Sequence, residues 1–424
     1  MSQYRAYPAY KDSGVEWIGQ VPEHWKVARV KRLASLRNER RNDVSTDTIY
    51  IGLEDVEAGS GQYKPTNGSS RQSEDSTVGI FYEGDVLYGK LRPYLRKAII
   101  SEMAGCCSTE FLVLRAEKTE PRWLQEWLLT PDVTHQIVSG CEGAKMPRAD
   151  WGHIGSIEVV YPDQPEQAKI LTSLDRETAR IDALIEKKTR FIELLNEKRQ
   201  ALITHAVTKG LDPNVKMKDS GIEWIGQVPE HWKVARVKRL ASLRNERRND
   251  VSTDTIYIGL EDVEAGSGQY KPTNGSSRQS EDSTVGIFYE GDVLYGKLRP
   301  YLRKAIISEM AGCCSTEFLV LRAEKTEPRW LQEWLLTPDV THQIVSGCEG
   351  AKMPRADWGH IGSIEVVYPD QPEQAKILTS LDRETARIDA LISKAEQSIT
   401  LLKERRAAFI TAAVTGQIDL RRKQ

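Results

Sequence analysis

Residues Glu16 to Ile185 recur without a single change as Glu223 to Ile392, an offset of 207 in a chain of 424 residues. Lys11-Asp12-Ser13-Gly14 returns in the same way as Lys218-Asp219-Ser220-Gly221. A period this long excludes a solenoid, whose repeats run to roughly 20–50 residues, and requires two copies of one domain. The identity then stops abruptly. Residues 186–213 align with 393–420 but agree at only 13 of 28 positions, among them Ile192/Ile399, Leu195/Leu402 and Arg199/Arg406. Gradual drift would scatter differences along both copies. The sharp junction points instead to recent recombination, or to deliberate engineering, that placed one module twice in a frame whose long helices differ.

Within one copy the pattern is mixed up to about Tyr161. Short β-like runs, Ile49-Tyr50-Ile51, Val78 to Tyr82, Asp85 to Tyr88 and Phe111 to Leu114, are separated by Gly/Ser/Asn-rich stretches. Pro121 to Leu129 and Pro131 to Val138 read as short helices, and Ile157 to Val160 as a closing strand. The domain is therefore expected to be a compact α+β fold.

After Pro165 no Pro or Gly occurs until Gly210. Leu171, Leu174, Thr178, Ile181, Ile185, Lys188, Ile192, Leu195, Arg199 and Leu202 are spaced alternately by three and four, a heptad seam. The second copy repeats it at Leu378, Leu381, Thr385, Ile388, Ile392, Ala395, Ile399, Leu402, Arg406 and Phe409. A helix over about 165–205 would be ~60 Å long, longer than a domain of this size can cover. The two helices are expected to pair antiparallel, giving two globular domains separated by a coiled coil with approximate two-fold symmetry.

Composition narrows the function. Lys+Arg 59 against Asp+Glu 61 leaves a net charge of −2, with 28% charged and 39% hydrophobic residues. This is a globular composition. No apolar run reaches the roughly 20 residues of a membrane helix, and the first residues carry no secretory signal pattern, so cytoplasm is the expectation. The six cysteines, Cys106, Cys107, Cys141, Cys313, Cys314 and Cys348, include no C-x-x-C and read as reduced thiols. A near-neutral chain cannot hold nucleic acid by bulk charge, so local patches would have to do it. Lys26 to Asn42 carries seven basic residues against Glu39, and Gly84 to Lys97 carries Lys90, Arg92, Arg96 and Lys97 against Asp85, with Tyr88 and Tyr94 interleaved. Basic residues among aromatics suit phosphate contacts and base readout, although such a stretch is often only a solvated face.

Catalytic patterns are weak. Gly84 to Lys90 spells G-x-x-x-x-G-K, but Leu91, Arg92 and Pro93 follow where a phosphate loop needs Ser or Thr and a helix. Gly89 reads better as a bend out of a strand. His24, His135 and His153 are scattered, and Glu54-Asp55 with Glu57 reads as a solvated acidic run. There is no H-E-x-x-H, no G-x-S-x-G and no Asp/Asn-Pro-Pro-aromatic methyltransferase motif.

Four motifs in order resemble the specificity subunits of type I restriction-modification systems. They are Lys11-Asp-Ser-Gly-Val-Glu-Trp-Ile-Gly-Gln-Val-Pro-Glu-His-Trp25, Gly84-Asp-Val-Leu-Tyr-Gly-Lys-Leu-Arg-Pro-Tyr-Leu-Arg-Lys97, Pro165-Glu166-Gln167 at the start of the long helix, and the endings Ala206-Val-Thr-Lys-Gly-Leu-Asp212 and Ala413-Ala-Val-Thr-Gly-Gln-Ile-Asp-Leu420. The resemblance implies two target-recognition domains, 1–162 and 214–369, and two spacer helices, 163–213 and 370–424. It implies a subunit that is not itself an enzyme and holds no cofactor. Its partners would be double-stranded DNA, two methyltransferase (M) subunits that use S-adenosylmethionine, and restriction (R) subunits that use ATP and Mg, with no membrane involved. Ordinary members carry two unlike recognition domains, whereas these two are identical, which implies an interrupted palindromic site with an adenine in each half. The expected DNA-binding residues are Arg71, Lys90, Arg92, Tyr94, Arg96, Lys97, Lys145 and Arg148, with Arg278, Lys297, Arg299, Tyr301, Arg303, Lys304, Lys352 and Arg355 in the second copy. Asn67, Ser69 and Ser70 share the loop of Arg71. Arg92-Pro93-Tyr94 reads equally well as structural. The other reading that stays open is a scaffold without DNA, whose repeated domains bind proteins or small ligands.

Overall fold

In the computed structural model, residues 5–45, 47–65, 76–141, 146–252, 254–272, 283–348 and 353–421 are described. They form two compact units, Met1–Lys188 with Glu396–Gln424, and Thr189–Ala395.

The first unit contains twelve strands: β1 (Tyr10–Asp12), β2 (Gln20–Pro22), β3 (Lys26–Arg29), β4 (Ala34–Leu36), β5 (Arg40–Arg41), β6 (Tyr50–Ile51), β7 (Val78–Phe81), β8 (Val86–Gly89), β9 (Ala98–Ile100), β10 (Gly105–Cys107), β11 (Phe111–Ala116) and β12 (Glu158–Tyr161). Its short helices are α1 (Pro121–Leu129), α2 (Pro131–Ser139) and α3 (Trp151–Ser156), and the long helix α4 (Gln164–Lys209) follows β12. Each strand has its counterpart 207 residues on, from Met217–Asp219 to Glu365–Tyr368. The second copy's helices are α5 (Pro328–Leu335), α6 (Pro338–Ser346), α7 (Trp358–Ser363) and α8 (Gln371–Val414). α4 and α8 are each divided between the two units.

The central antiparallel sheet has the order β4-β11-β8-β9, and a second sheet, β5-β7-β10-β6, contains one parallel pair, β10 with β6. Alternation along β8 explains why it reads as an unbroken apolar run. Val86 and Tyr88 face α1 and α2 with Leu112, Leu114, Trp127 and Ile137. Leu87 points the other way, onto Phe81, Ile99, Cys107 and Val113 between the sheets. A strand buried on both faces carries no polar alternation. Gly105 on β10 leaves no room for a side chain beside its neighbour on β7: a Cβ would lie 2.7 Å from Phe81 and 2.8 Å from the Ile49 carbonyl.

α1 buries its other face at the base of the long helix. Trp123 packs edge-on against Trp25, with ring centroids 5.6 Å apart, beside Ile170, Leu171, Leu174, Ile410, Ala413 and Val414. The second unit repeats this with Trp330 and Trp232 at 5.7 Å, beside Ile203, Val207, Ile377, Leu378 and Leu381. The opening Glu-His-Trp and the helix-starting Pro-Glu-Gln form one knot. Glu166 accepts hydrogen bonds from the Tyr7 hydroxyl (3.1 Å) and Trp25 Nε1 (3.2 Å), and lies 2.8 Å from His24 Nε2. Gln167 accepts from the Thr119 hydroxyl and the Glu120 amide and donates to the Pro162 carbonyl. Glu373 and Gln374 repeat the arrangement with His231, Trp232, Thr326, Glu327 and Pro369.

Within each unit the two helical stretches run antiparallel. In the first, Arg406 Nε donates to Asp182 Oδ1 at 2.9 Å, while Leu174 shares its cluster with Ala413 and Val414. In the second, Arg199 pairs with Asp389 at 3.2 Å, while Ala206 and Val207 meet Leu378. All twenty seam positions are buried or half-buried. The polar ones have partners or room: Thr178 donates back to the Leu174 carbonyl, both arginines reach an aspartate across the pair, and Lys188 stays half-exposed. The acidic run differs from expectation. Asp55 is wholly buried, because its carboxylate accepts the Gly52 amide at 2.8 Å and closes a tight turn.

Leu174, fully buried at the seam, is expected to cost about 2–5 kcal/mol on Leu174→Ala. Leu401→Ala, on an exposed helix position, should change stability by less than about 0.5 kcal/mol. Thermal unfolding of the two variants checks the contrast, and equal shifts would refute the seam.

Candidate nucleic-acid interface

β8 ends at Gly89, where a Cβ would press on Leu53 at 2.9 Å and on Lys97 at 3.3 Å. The chain then turns through Arg92, Pro93, Tyr94, Leu95 and Arg96. Pro93–Leu95 form one turn of 3₁₀ helix, flanked by Arg92 at φ 53° and Arg96 at φ 49°. The second copy repeats this at Arg299 and Arg303. These four arginines are the positive-φ residues other than glycine among the described residues. The left-handed region is costly for a residue with a Cβ and persists where surroundings enforce it, often at working sites. Here the enforcement is visible. The Arg92 amide donates to the Pro147 carbonyl at 2.9 Å, the Ala149 amide to the Lys90 carbonyl at 2.9 Å, and the Lys90 amide to the Glu110 carbonyl at 2.9 Å. A bridge between Leu91 and Arg148 completes the clamp.

The expected residues separate into two groups. Lys90, Arg92, Tyr94 and Arg148 are brought together on one rim. Arg92, Tyr94 and Arg148 are exposed, and Lys90 is half-buried. Arg148 reaches Glu110 at 3.1 Å; among the described residues no carboxylate pairs with Lys90 or Arg92. Met146 lies exposed beside them. Lys297, Arg299, Tyr301, Arg355 and Met353 form the same rim in the second unit. Arg96 and Lys97 turn inward instead. The Lys97 ammonium donates to the Leu53 carbonyl at 2.6 Å, and Arg96 reaches the Leu129 carbonyl at 3.4 Å. Lys304 and Arg303 repeat these bonds. Arg71, Lys145, Arg278 and Lys352, with Asn67, Ser69 and Ser70, lie outside the described residues.

The basic stretch from Lys26 divides similarly. Arg37 is a structural ion pair, bidentate to Asp85 at 2.8 and 3.2 Å and stacked over Tyr82. Lys26, Arg29, Lys31 and Arg32 are exposed. By strand register Lys31 and Arg32, just before β4, sit at the opposite end of the central sheet from Lys90, while Lys26 and Arg29 lie on β3 in a separate sheet with β12. All six cysteines are free thiols, and burial pushes Cys107 and Cys314 up to about 12. Among the described residues no cluster of His, Cys, Asp or Glu could hold a metal ion, and no helix is long and apolar enough to cross a membrane. Met146 belongs to the stretch Gly143-Ala-Lys145-Met-Pro-Arg148, which the family resemblance places near DNA, but only Lys145 and Arg148 of that stretch are among the expected contacts. The left-handed backbone of Arg92, Arg96, Arg299 and Arg303, all expected as DNA-binding residues, carries no sequence signal, because propensity disfavours that conformation for them.

Replacing Lys97 by Ala is expected to cost about 1–3 kcal/mol, because the half-buried Leu53 carbonyl loses its donor. Arg92→Gly should not lower the melting temperature, since glycine adopts the left-handed backbone freely. Thermal unfolding distinguishes a structural Lys97 from a rim Arg92.

No protein-family model matches the chain. A curated relative, the type I restriction enzyme EcoDI specificity subunit of Escherichia coli, is 21% identical over 346 residues, 78% of this chain and 74% of the relative. A chain from a structure of a type I R-M system, solved to explain complex assembly and conformational transition, aligns over 93% of this chain and 98% of its own, at 17% identity and TM-score 0.68. The HsdS subunit from Thermoanaerobacter tengcongensis aligns over 94% of this chain and 98% of its own, at 19% identity and TM-score 0.49. The chain thus has the fold of a type I restriction-modification structure, and the family that its sequence resembles is that of the type I specificity subunits.

Proposed function

We propose that this chain is the DNA-reading subunit of a type I restriction-modification assembly and performs no chemistry itself. The observation that carries the reading is the rim, present twice: Lys90, Arg92, Tyr94 and Arg148, and Lys297, Arg299, Tyr301 and Arg355. Its central cations have no carboxylate partner among the described residues, and its backbone is clamped. Unpaired cations held in place lose little freedom on meeting phosphates and release counterions there. An exposed tyrosine and methionine beside them offer apolar contact to base edges and sugars. Arg148, loosely held by Glu110, is the best candidate for a base-reading guanidinium, with Lys90 and Arg92 on phosphates.

Identical readers have identical base preferences, so the site is proposed to be an interrupted palindrome with an adenine in each half. The gap is proposed to depend on the length of α4 and α8. Two methyltransferase subunits with S-adenosylmethionine would modify the adenines, and restriction subunits with ATP and Mg would complete the assembly in the cytoplasm. Similarity to the EcoDI specificity subunit supports this reading over a scaffold without DNA.

The test is duplex binding across a salt series, with this chain in its methyltransferase assembly. Affinity should fall steeply with salt. Lys90→Ala with Lys297→Ala should weaken all sequences alike and flatten that slope by about one unit per lost contact. Arg148→Ala with Arg355→Ala should cost about 1–3 kcal/mol and relax the same base position in both half-sites. Methylome sequencing that returned unlike half-sites would refute the palindrome.

A further inference from the structure

The two rims are identical in sequence but not in what holds them from behind. Each is joined by its 3₁₀ turn to an inward-facing arginine, Arg96 or Arg303. In both copies the backbone tethers of that arginine are the same: its amide donates to the proline carbonyl three residues back, and its carbonyl accepts from Gly59 or Gly266, all at 2.9 Å. The guanidinium tethers differ. Arg303 Nη1 donates to the Leu336 carbonyl at 3.4 Å and also to Gln200 Oε1 of α4 at 3.2 Å. Gln200 is steadied in turn by Thr204 one turn later, at 3.4 Å. Arg96 Nη1 has the equivalent carbonyl of Leu129 at 3.4 Å, but the helix position matching Gln200 is Ala407, which offers no side-chain acceptor.

The difference lies entirely on the helix side, because the domains are the same sequence. Arg303, Gln200, Arg199 and Gly266 line a cavity of about 1030 Å³ in the second unit. Arg96, Ala407, Arg406 and Gly59 line its counterpart of about 720 Å³ in the first. Where the second unit has Asn196 the first has Lys403. The hydrogen bonds of Lys64 and then Ser60 hold the Glu57 carboxyl on the same cavity wall below the usual carboxylate range, with Lys403 the smallest contributor.

We propose that Gln200 is a positioning residue for the second reader only. By latching Arg303 it adds one side-chain tether to the strained turn that carries Arg299 and Tyr301, so the second rim is held more firmly than the first, whose backbone clamp is otherwise the same. The role in DNA recognition rests on the reading proposed above. The latch itself does not, and it can be tested without DNA.

Limited trypsin digestion of the full-length protein reports each turn separately. Cuts after Arg96 or Lys97 and after Arg303 or Lys304 give fragments of different length, although the local sequences are the same. The first turn should be cut about twofold to tenfold faster than the second, the range set by the net contribution of one ordinary, part-buried intramolecular hydrogen bond. Gln200→Ala should bring the second turn to the rate of the first, and Ala407→Gln should slow the first towards the second. Equal rates in the native protein, or a second turn unaffected by Gln200→Ala, overturns the latch. In the methyltransferase assembly, Gln200→Ala should also weaken duplex binding by a similar factor with the salt slope unchanged, and an unchanged affinity overturns the positioning role. Absence of salt-dependent binding in the native assembly counts against the DNA reading alone and leaves the cleavage result standing.

Discussion

Everything in each unit is hung from one partly buried carboxylate. Glu166 sits in the first turn of α4, where the helix dipole favours an anion, and Tyr7, His24 and Trp25 all aim polar hydrogens at it. Arg421 approaches within 3.7 Å and stacks over Tyr7. Burial and the adjacent carboxylate drive the Tyr7 phenol far above its usual range, so it stays a neutral donor. Gln167, the next residue, ties in the start of α1 through Thr119 and Glu120. The sheet domain, the short helix and the long helix thus share one joint. The buried Trp25–Trp123 pair fills the space around it.

This joint explains why distant short motifs travel together in the chain. Glu-His-Trp supplies donors, Pro-Glu-Gln supplies the acceptors and starts the helix, and neither is satisfied alone. A buried carboxylate stripped of its donors, or an indole N–H left without an acceptor, is costly. Their pairing is a structural requirement, and it leaves the exposed rim free to carry specificity.

The long helices were the most legible part of the chain, because a three-four spacing over many turns has few alternative meanings. Even Thr178 and Arg406, which weaken the apolar pattern, fall on the seam. The strands were legible as apolar runs, but their order was not, since pairing such as β10 with β6 joins segments far apart in sequence. Arg37 and Lys97 show why charge alone misplaces a site. Both belong to basic stretches, yet one is committed to Asp85 and the other to a carbonyl. Only three-dimensional partners separate a working cation from a structural one. Asp55 shows the converse, an acidic residue that reads as solvated and is buried because a turn needs its acceptor.

The exact repetition of Glu16 to Ile185 poses a problem for the nascent chain. Any strand of the first sheet is chemically acceptable in the second, so misassembly between copies carries no local penalty. What distinguishes the copies lies in the residues that precede Glu16 and Glu223, Tyr7 among them, and in the divergent helical stretches after Ile185 and Ile392, where Lys188 stands against Ala395 and Gln200 against Ala407. Faithful folding of this polypeptide therefore depends on each sheet domain closing on itself before its twin is available to compete, which places the burden of fidelity on the order of synthesis.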